Sequence, residues 1–345
     1  MTTSGPLGIR VAEVSAWLTS NVVGAQEPFR FLPIAGGRSN LTYVVTDDAG
    51  QSFVLRRPPL GHLLPSAHDM AREHRILSGL HGSSVPVAEP LGFCADESVN
   101  DRPFYVMGYV EGLVLRSPAD SEALSEQARR RTGESVIDTL LALHAIDLDT
   151  VGLADLGKRE GYVARQVKRW HSQFTDSKTR EVPLIDSVQT RLVAAMPAQQ
   201  TATIVHGDYR LDNAIVGNDG DVRAVLDWEI CTLGDPLADL GLLMVYWPDA
   251  AEAHPPLGAA ANQVSGFLTN RALRERYGCQ SPLDLSALDY YVAFAYWKLA
   301  CILEGVYARY VDGAITGDGY DHMVLHGQVP QLAQAAHAAL EKLGL

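Results

Sequence analysis

The sequence has few cysteines, little positive charge and no long uninterrupted apolar run. Its four cysteines are scattered and form no CxxC pair, which argues against a zinc site or a disulfide framework and favours reduced structural thiols. Lysine and arginine number 28 against 41 acidic residues, for a net charge of -13, whereas nucleic-acid-binding surfaces are normally basic. A polybasic membrane-surface protein is disfavoured for the same reason. We therefore expect neither a nucleic-acid partner nor a membrane partner.

Export and membrane signals are also missing from the segments that would carry them. The N-terminus has no basic region followed by an apolar block, so no signal peptide is predicted. The most apolar late segment, Tyr290–Val311, is interrupted by Lys298, Glu304 and Arg309 and is too charged to span a bilayer. These features predict a cytoplasmic protein. The three charges are interpreted either as internal ion-pair partners or as residues of a substrate pocket, and the sequence leaves both readings open.

The composition and element pattern predict two lobes of different kinds. With 345 residues, 47% of them hydrophobic, the chain suits two domains of roughly 100–200 residues each. The early part contains a short helix at Val11–Val22 and a hairpin in which LTYVV and SFVL flank the turn DDAG. An amphipathic helix at Ser66–Leu80, with a serine as N-cap, and a strand at Phe104–Val110 follow.

From about Ser121 the sequence reads mainly as helices, with one β-rich interlude at Thr203–Glu229. We therefore predict an α+β fold. A small antiparallel-sheet lobe is expected over residues 1–110, and a larger, mostly helical lobe over residues 111–345.

The interlude crowds polar residues between apolar runs in "IVHGDYRLDNAIV". The turn sequence GNDGD separates NAIV from VRAVLDW and predicts a hairpin. Such a hairpin would bring Asp208, Asn213 and Asp227 towards one point. Carboxylate and amide oxygens suit Mg²⁺ together with phosphate oxygens, and a carboxylate left off the metal could accept a proton from a hydroxyl.

"HGDYRLDN" resembles the catalytic loop of protein-kinase-like enzymes, with glycine where their H-R-D motif has arginine. Followed by "LDWE", it is similar to the aminoglycoside phosphotransferase and choline kinase group. The resemblance implies a protein-kinase-like two-lobe fold, with Asp208 as catalytic base and with Asn213 and Asp227 as Mg²⁺ ligands. It also implies a catalytic role for Arg210, which stands where many kinases have a lysine that reaches the transferred phosphate.

Other polar residues near the loop are interpreted as structural. We expect His206 to fix the loop by hydrogen bonding and Asp212 to take no part in the chemistry. In "LGDPLADLG", Asp235 and Pro236 are typical of an N-cap followed by a first-turn proline. Asp239, one turn further on, is placed to brace the catalytic loop.

The resemblance implies that the first lobe binds the nucleotide. "GGRSN" would then be the phosphate-facing loop, with Gly36, Gly37 and Ser39 as its contacts. The fit of "VLR" to the family's V-A-I-K strand favours Arg56 as the cation for the α- and β-phosphates, with arginine in place of lysine. Because a strand alternates its faces, only one of Arg56 and Arg57 can enter a cleft.

Two further segments complete the nucleotide site that the resemblance implies. Glu73, on the helix after the cation, would pair with it. "FYVMGYVEG" resembles the connector that binds adenine, with Met107 flanking the base and with the Gly108 carbonyl and the Val110 N–H as hydrogen-bond partners. ATP and Mg²⁺ are therefore the expected cofactors.

More narrowly, the motifs are similar to bacterial phosphotransferases that resemble the kinase-like domain attached to some acyl-CoA dehydrogenases. This implies a small-molecule hydroxyl acceptor, and leaves aminoglycoside, amino alcohol, sugar and hydroxyacyl substrates open. The aromatic residues that would either line an acceptor pocket or pack in the core are Tyr246, Trp247, Tyr296 and Trp297.

The predicted activity is ATP- and Mg²⁺-dependent phosphoryl transfer to a small-molecule hydroxyl. The alternative is a nucleotide-binding pseudokinase with a regulatory role, which the arginine in place of lysine motivates. A metal-dependent hydrolase is disfavoured because it would need more His and Asp ligands near the metal, and no HExxH or paired HD motif is placed to supply them.

Overall fold

A computed structural model describes residues 6–34, 40–60, 68–252, 255–315 and 319–344. The chain forms two compact units: residues 1–112 with 223–229, and residues 113–222 with 230–345. The segment 223–229 groups with the first unit although it lies far along the sequence. One reason is a backbone hydrogen bond of 2.8 Å from the Val225 N–H to the Pro86 carbonyl. Within the described ranges, no helix has both the length and the apolar character needed to cross a membrane.

The first unit is built on an antiparallel sheet. Its elements are α1 (Val11–Asn21), β1 (Arg30–Pro33), β2 (Leu41–Thr46), β3 (Ser52–Arg57), α2 (Met70–Leu80), β4 (Pro90–Cys94) and β5 (Phe104–Gly108). The strands are ordered β1-β2-β3-β5-β4. The predicted hairpin is confirmed, with β2 paired to β3 from Leu41 opposite Arg57 to Thr46 opposite Ser52.

One face of this sheet forms the core of the first unit with α1. Tyr43, Val45 and Phe53 from the strands pack in the same buried cluster as Val14 and Leu18 from the helix. Burying each such side chain contributes about 1.5–3 kcal/mol before entropy is counted. Strand alternation then leaves the opposite sheet face for other residues, Arg56 among them.

Helix α2 begins later than the sequence indicated. The predicted serine N-cap, Ser66, is wrong: the helix starts at Met70 and its N-cap is Asp69, whose carboxylate accepts the Arg72 N–H at 3.0 Å. An aspartate at the N-cap satisfies an otherwise unpaired N–H and also complements the helix dipole.

The second unit is mostly helical, as predicted. Its helices are α3 (Pro118–Ser121), α4 (Glu126–His144), α5 (Tyr162–Ser177), α6 (Pro183–Ala194), α7 (Leu237–Val245), α8 (Asn270–Gln280), α9 (Leu288–Val311) and α10 (Met323–Lys342). Its short strands are β6 (Thr203–Val205), β7 (Ala214–Val216) and β9 (Thr232–Gly234), while β8 (Val222–Val225) runs across the boundary between the units. Strands β6 and β9 pair antiparallel.

Helix α9 packs against α5, α6, α7 and α10. Its contacts show which of its aromatic and charged residues belong to the core and which are exposed. Trp297 is fully buried and donates its indole N–H to the Ile185 carbonyl at 2.9 Å, so it is a core residue. Glu304 is an internal partner, since its buried carboxylate accepts hydrogen bonds from Thr179 and pairs with Arg180 at 3.3 Å. Arg309 is exposed.

The close contact between α7 and α9 depends on Gly241. A Cβ at this position would lie 2.7 Å from backbone atoms of Tyr291. We therefore expect Gly241→Ala to lower the free energy of unfolding by about 1–3 kcal/mol, because rigid backbone cannot make room for it. Urea unfolding checks this, with Gly327→Ala in α10 as the control. Gly327 has open space around its Cα, so the control should be neutral or stabilising by up to ~1 kcal/mol. Equal stability of the two variants would contradict the packing argument.

Candidate active site

The polar loop between β6 and β7 is held at its ends by apolar burial. Ile204 and Val205 before it and Val216 after it are fully buried. The polar residues between these buried ends therefore lie partly inside the protein, and their backbone groups need hydrogen-bond partners.

Asp239 on α7 supplies the first of these partners. Its carboxylate accepts the His206 N–H at 2.6 Å and the Gly207 N–H at 2.8 Å. His144 Nε2 lies 3.5 Å from the same carboxylate. Burial works to raise the pKa of Asp239, but the bonds from His144 and Gly207 and the nearby His206 hold that pKa below its ordinary value. Asp239 therefore braces the loop as an ionised carboxylate, in agreement with the expectation from the sequence.

His206 is fully buried and serves the loop, as predicted. Its Nδ1 accepts the Asp208 N–H at 3.2 Å, and its ring lies edge-on to the Tyr209 ring with centroids 5.9 Å apart. Gly207, between them, has a φ of 86°, in the left-handed region that favours glycine. The local backbone therefore needs both the histidine ring and the glycine.

Asn213 fixes the side chain of Asp208. Its amide nitrogen donates to the Asp208 carbonyl and to Asp208 Oδ2, each at 2.9 Å. The Asp208 side chain is 28% exposed, and among the described residues nothing donates a hydrogen bond to its Oδ1. One carboxylate oxygen of Asp208 is thus anchored and the other is left for a ligand. The amide oxygen of Asn213 remains an acceptor.

Arg210 lies between two carboxylates and against an aromatic ring. Its Nε is 3.4 Å from Asp208 Oδ2, a terminal nitrogen is 3.2 Å from Asp212 Oδ2, and its Cζ is 4.7 Å from the Tyr246 ring centroid. Burial raises the pKa of Asp212, and Arg210 opposes that rise. Arg210, Asp212, Tyr246 and Arg116 line a cavity of about 160 Å³.

Of the four aromatic residues that the sequence left open, the two tyrosines line cavities and the two tryptophans are fully buried. Tyr246 lines the cavity beside Arg210, and Tyr296 lines another cavity of about 600 Å³. Trp247 is fully buried and donates its indole N–H to the Leu268 carbonyl at 2.9 Å. The tyrosines are therefore available to a ligand, and the tryptophans belong to the core.

In the first unit, Arg56 contacts the glutamate that the sequence indicated for it and a second carboxylate that it did not. Its Nε is 3.0 Å from Glu73 Oε2, and a terminal nitrogen donates to Asp227 Oδ1 at 2.7 Å. Arg57 points to the other face and is fully buried, where it bonds to the Pro58 carbonyl and pairs with Asp101 at 2.8 Å. The cation that meets the predicted glutamate is therefore Arg56.

Glu73 is a buried carboxylate with several partners. It accepts the Tyr105 hydroxyl at 3.0 Å and the Asn40 amide at 3.3 Å, in addition to its contact with Arg56. Burial raises the pKa of Glu73 to about 7, against the opposing effects of Arg56 and Tyr105. Burial acts to lower the pKa of Arg56, but the surrounding acidic groups raise it, so the guanidinium stays charged.

Around Asp227 the structure reveals residues to which the sequence assigned no role. Asn40 bridges Glu73 to Glu229, 3.3 Å from each, and His68 Nδ1 lies 2.8 Å from the Asn40 amide oxygen. Asp227 and His68 have φ values of 65° and 58°, an uncommon backbone conformation that is often found at functional sites. The motifs "GGRSN" and "LDWE" contain Asn40 and Glu229, but their mutual contact spans 189 positions and has no local signal.

The remaining predicted site residues stay predictions. Met107 and Gly108 end strand β5, where the Gly108 N–H donates to the Glu89 carbonyl at 2.8 Å, and Val110 follows it. Gly36, Gly37 and Ser39 lie outside the described residues. Asp208 and Asn213 belong to the second unit and Asp227 to the first, so their convergence also stays a prediction.

Asn213 and Asp227 carry hard oxygen donors of the type that Mg²⁺ takes. Among the described residues, no group of three or more His, Cys, Asp or Glu side chains is arranged to hold a metal ion. Asn213 retains a free amide oxygen, and the Asp227 side chain is 30% exposed with one oxygen bonded to Arg56. Mg²⁺ commonly takes one or two protein oxygens and completes its shell with phosphate oxygens and water.

Comparisons with known proteins agree with these motifs. A sequence model of the phosphotransferase enzyme family matches residues 30–274. Acyl-CoA dehydrogenase family member 10 of Mus musculus is 36% identical over 295 residues, which cover 83% of this chain and 27% of that protein. Family member 11 of Gallus gallus is 35% identical over 289 residues, covering 81% and 36%. The chain thus spans about a quarter to a third of the length of these relatives.

Solved structures show the same fold. A protein of Ralstonia eutropha, assigned as an aminoglycoside phosphotransferase, matches with a TM-score of 0.80 and 31% identity, over 96% of this chain and 98% of that one. The GDP complex of an aminoglycoside 2′-phosphotransferase variant matches with a TM-score of 0.61 and 14% identity, over 96% and 98%. The kinase-like fold predicted from the sequence is confirmed.

Proposed function

Because this chain belongs to the phosphotransferase enzyme family, we propose that it moves the γ-phosphoryl group of ATP to a hydroxyl of a small molecule. In this reaction the acceptor oxygen forms a bond to phosphorus while the bond to the leaving ADP oxygen breaks, and the hydroxyl proton goes to a base. Such catalysis depends mainly on positioning and on charge stabilisation.

The observation that carries the proposal is the environment of Asp208. One of its carboxylate oxygens is anchored by Asn213 at 2.9 Å, while the side chain remains 28% exposed. A base needs this combination of fixed orientation and access to the acceptor. We assign Asp208 as the base and Arg210, 3.4 Å from it, as the cation that contacts the moving phosphoryl group.

For the metal, we propose Asn213 and Asp227 as protein ligands of Mg²⁺. When bound, Mg²⁺ would neutralise charge on the nucleotide phosphates. Each of the two residues keeps one side-chain oxygen that accepts no hydrogen bond from the described side chains. Hard oxygen donors of this kind suit Mg²⁺.

For the nucleotide, we propose that Arg56, held by Glu73, contacts the phosphates. The arginine in place of lysine was the motive for the pseudokinase alternative. The ion pair of Arg56 with Glu73 at 3.0 Å suits nucleotide binding in both cases. The intact set of Asp208, Asn213 and Asp227 favours the enzyme. The GDP complex of a protein with the same fold supports nucleotide binding. Residues Gly36, Gly37, Ser39, Met107, Gly108 and Val110 complete the proposed nucleotide site.

For the acceptor, we propose a small molecule that enters beside Arg210. The cavity of about 160 Å³ next to this residue is lined by Tyr246, Arg116 and Asp212, so it offers an aromatic ring and groups of both charges. Aminoglycosides, amino alcohols and hydroxyacyl compounds remain the candidates. A mass-spectrometric screen for the gain of one phosphoryl group distinguishes among them.

The first test is Mg²⁺-dependent nucleotide binding by calorimetry. We expect the wild-type protein to bind ATP with Mg²⁺, and Asp227→Ala to weaken that binding about 10- to 100-fold, because a metal-site contact is lost. Binding in EDTA should resemble binding by the variant, and GTP in place of ATP tests base preference. Wild-type protein without any Mg²⁺-dependent nucleotide affinity would rule the proposal out.

A further inference from the structure

Lys298 is a buried cation beside the loop that carries Asp208. It lies in the middle of α9, is 6% exposed, and donates from Nζ to the Gly207 carbonyl at 2.8 Å. Its Nζ also lies 5.8 Å from the Trp170 ring centroid. The charged groups that act on it are Asp208 in the loop, Asp239 on α7 and Arg169 on α5.

The Gly207–Asp208 peptide is held from both of its sides. Its carbonyl accepts the Lys298 ammonium, and its N–H donates to His206 Nδ1 at 3.2 Å. The preceding peptide donates its N–H to Asp239 at 2.8 Å. A cation on one helix and an anion on another therefore fix the backbone that enters Asp208, in addition to the side-chain bond from Asn213.

Burying the Lys298 ammonium costs free energy, and in return it gives the Gly207 carbonyl a single hydrogen bond. Burial lowers the pKa of Lys298, which reflects the penalty for removing its charge from water. A buried ammonium of this kind adds little net stability, because the cost of removing its charge from water offsets the hydrogen bond that it donates. The position of Lys298 is better explained by its contact with the Gly207 carbonyl, which lies directly before Asp208.

We propose that Lys298 is a positioning residue for phosphoryl transfer. By clamping the Gly207–Asp208 peptide it sets the direction in which the Asp208 carboxylate points. The inference rests on the proposed function, in which Asp208 is the base, and adds a residue from α9 that lies 91 positions from the loop. Small displacements of a catalytic group reduce turnover strongly.

Three variants test the role. Lys298→Met keeps the approximate length and removes both charge and donor, Lys298→Arg keeps both, and Leu299→Met is a conservative control at an adjacent position that is also 6% exposed. We expect Lys298→Met to lower kcat about 10- to 100-fold with KM for ATP unchanged. Lys298→Arg should recover part of kcat, and the control should match the wild type.

Stability and hydrogen exchange separate positioning from a structural role. Lys298→Met leaves the Gly207 carbonyl without this donor and should lower the urea midpoint only slightly, while amides of residues 204–213 exchange faster. Wild-type kcat in Lys298→Met would overturn the proposal. A kcat loss accompanied by a matching loss of global stability, with no local change in exchange, would also overturn it. If the wild type transfers no phosphoryl group, the proposed function fails, and exchange in the same variants still decides whether Lys298 clamps the loop.

Discussion

Replacing Asp208 with asparagine is expected to lower kcat for phosphoryl transfer by about 10²–10⁴-fold, the usual contribution of a general base. Asparagine has nearly the same shape, and its amide oxygen can still accept the hydrogen bond that Asn213 gives to Asp208 Oδ2 at 2.9 Å. It cannot accept the proton of the acceptor hydroxyl. Nucleotide affinity and the unfolding midpoint should therefore stay close to those of the wild type.

The matched control is Asp212→Asn, which removes a carboxylate from the same loop. Asp212 pairs with Arg210 at 3.2 Å and lines the proposed acceptor cavity, so its replacement should change the KM for the acceptor and leave kcat close to that of the wild type. Single-turnover transfer, followed together with calorimetric nucleotide binding, compares the two variants. If Asp212→Asn lost as much activity as Asp208→Asn, the effect would be one of loop charge, and the assignment of the base would be wrong.

Replacing Asp239 with alanine is expected to lower the free energy of unfolding by about 3–5 kcal/mol, as for other buried charged groups that lose a partner. The carboxylate accepts two backbone N–H groups, of His206 and Gly207, and lies near His144. Alanine would leave these donors buried without an acceptor, which costs more than the net gain from a hydrogen bond. Activity should fall as well, because the loop before Asp208 loses its brace.

Urea unfolding measures this loss, with Asp176→Ala as the control. Asp176 is exposed on α5, so its replacement should change stability by no more than about 0.5 kcal/mol. The folded-state pKa of Asp239 is depressed. Its contribution should therefore be complete above its unfolded pKa of about 4 and be lost as pH falls through the lower folded value. The gap between wild type and variant should narrow in acid, and a gap that widened there would contradict the assignment.

The sequence by itself determined the class of fold, the order of the motifs and the loop that carries the candidate catalytic residues. These features are local: alternation and turn residues predicted the β2–β3 hairpin, and the spacing within "HGDYRLDN" singled out Asp208 and Asn213. The bracing role of Asp239 also followed from its place one turn into a helix. Local patterns are legible because strand and helix periodicities repeat within a few residues.

Only the tertiary structure decided between residues that look alike in sequence. Arg56 and Arg57 are neighbours, but contacts with distant acidic residues give one the pair with Glu73 and bury the other beside Asp101. Likewise, Lys298 and Glu304 are both charges on an apolar helix, yet one meets the Gly207 carbonyl and the other meets Arg180. These partners lie between 17 and 124 positions away along the chain. No short-range pattern encodes such contacts, because they exist only after the helices and strands have packed.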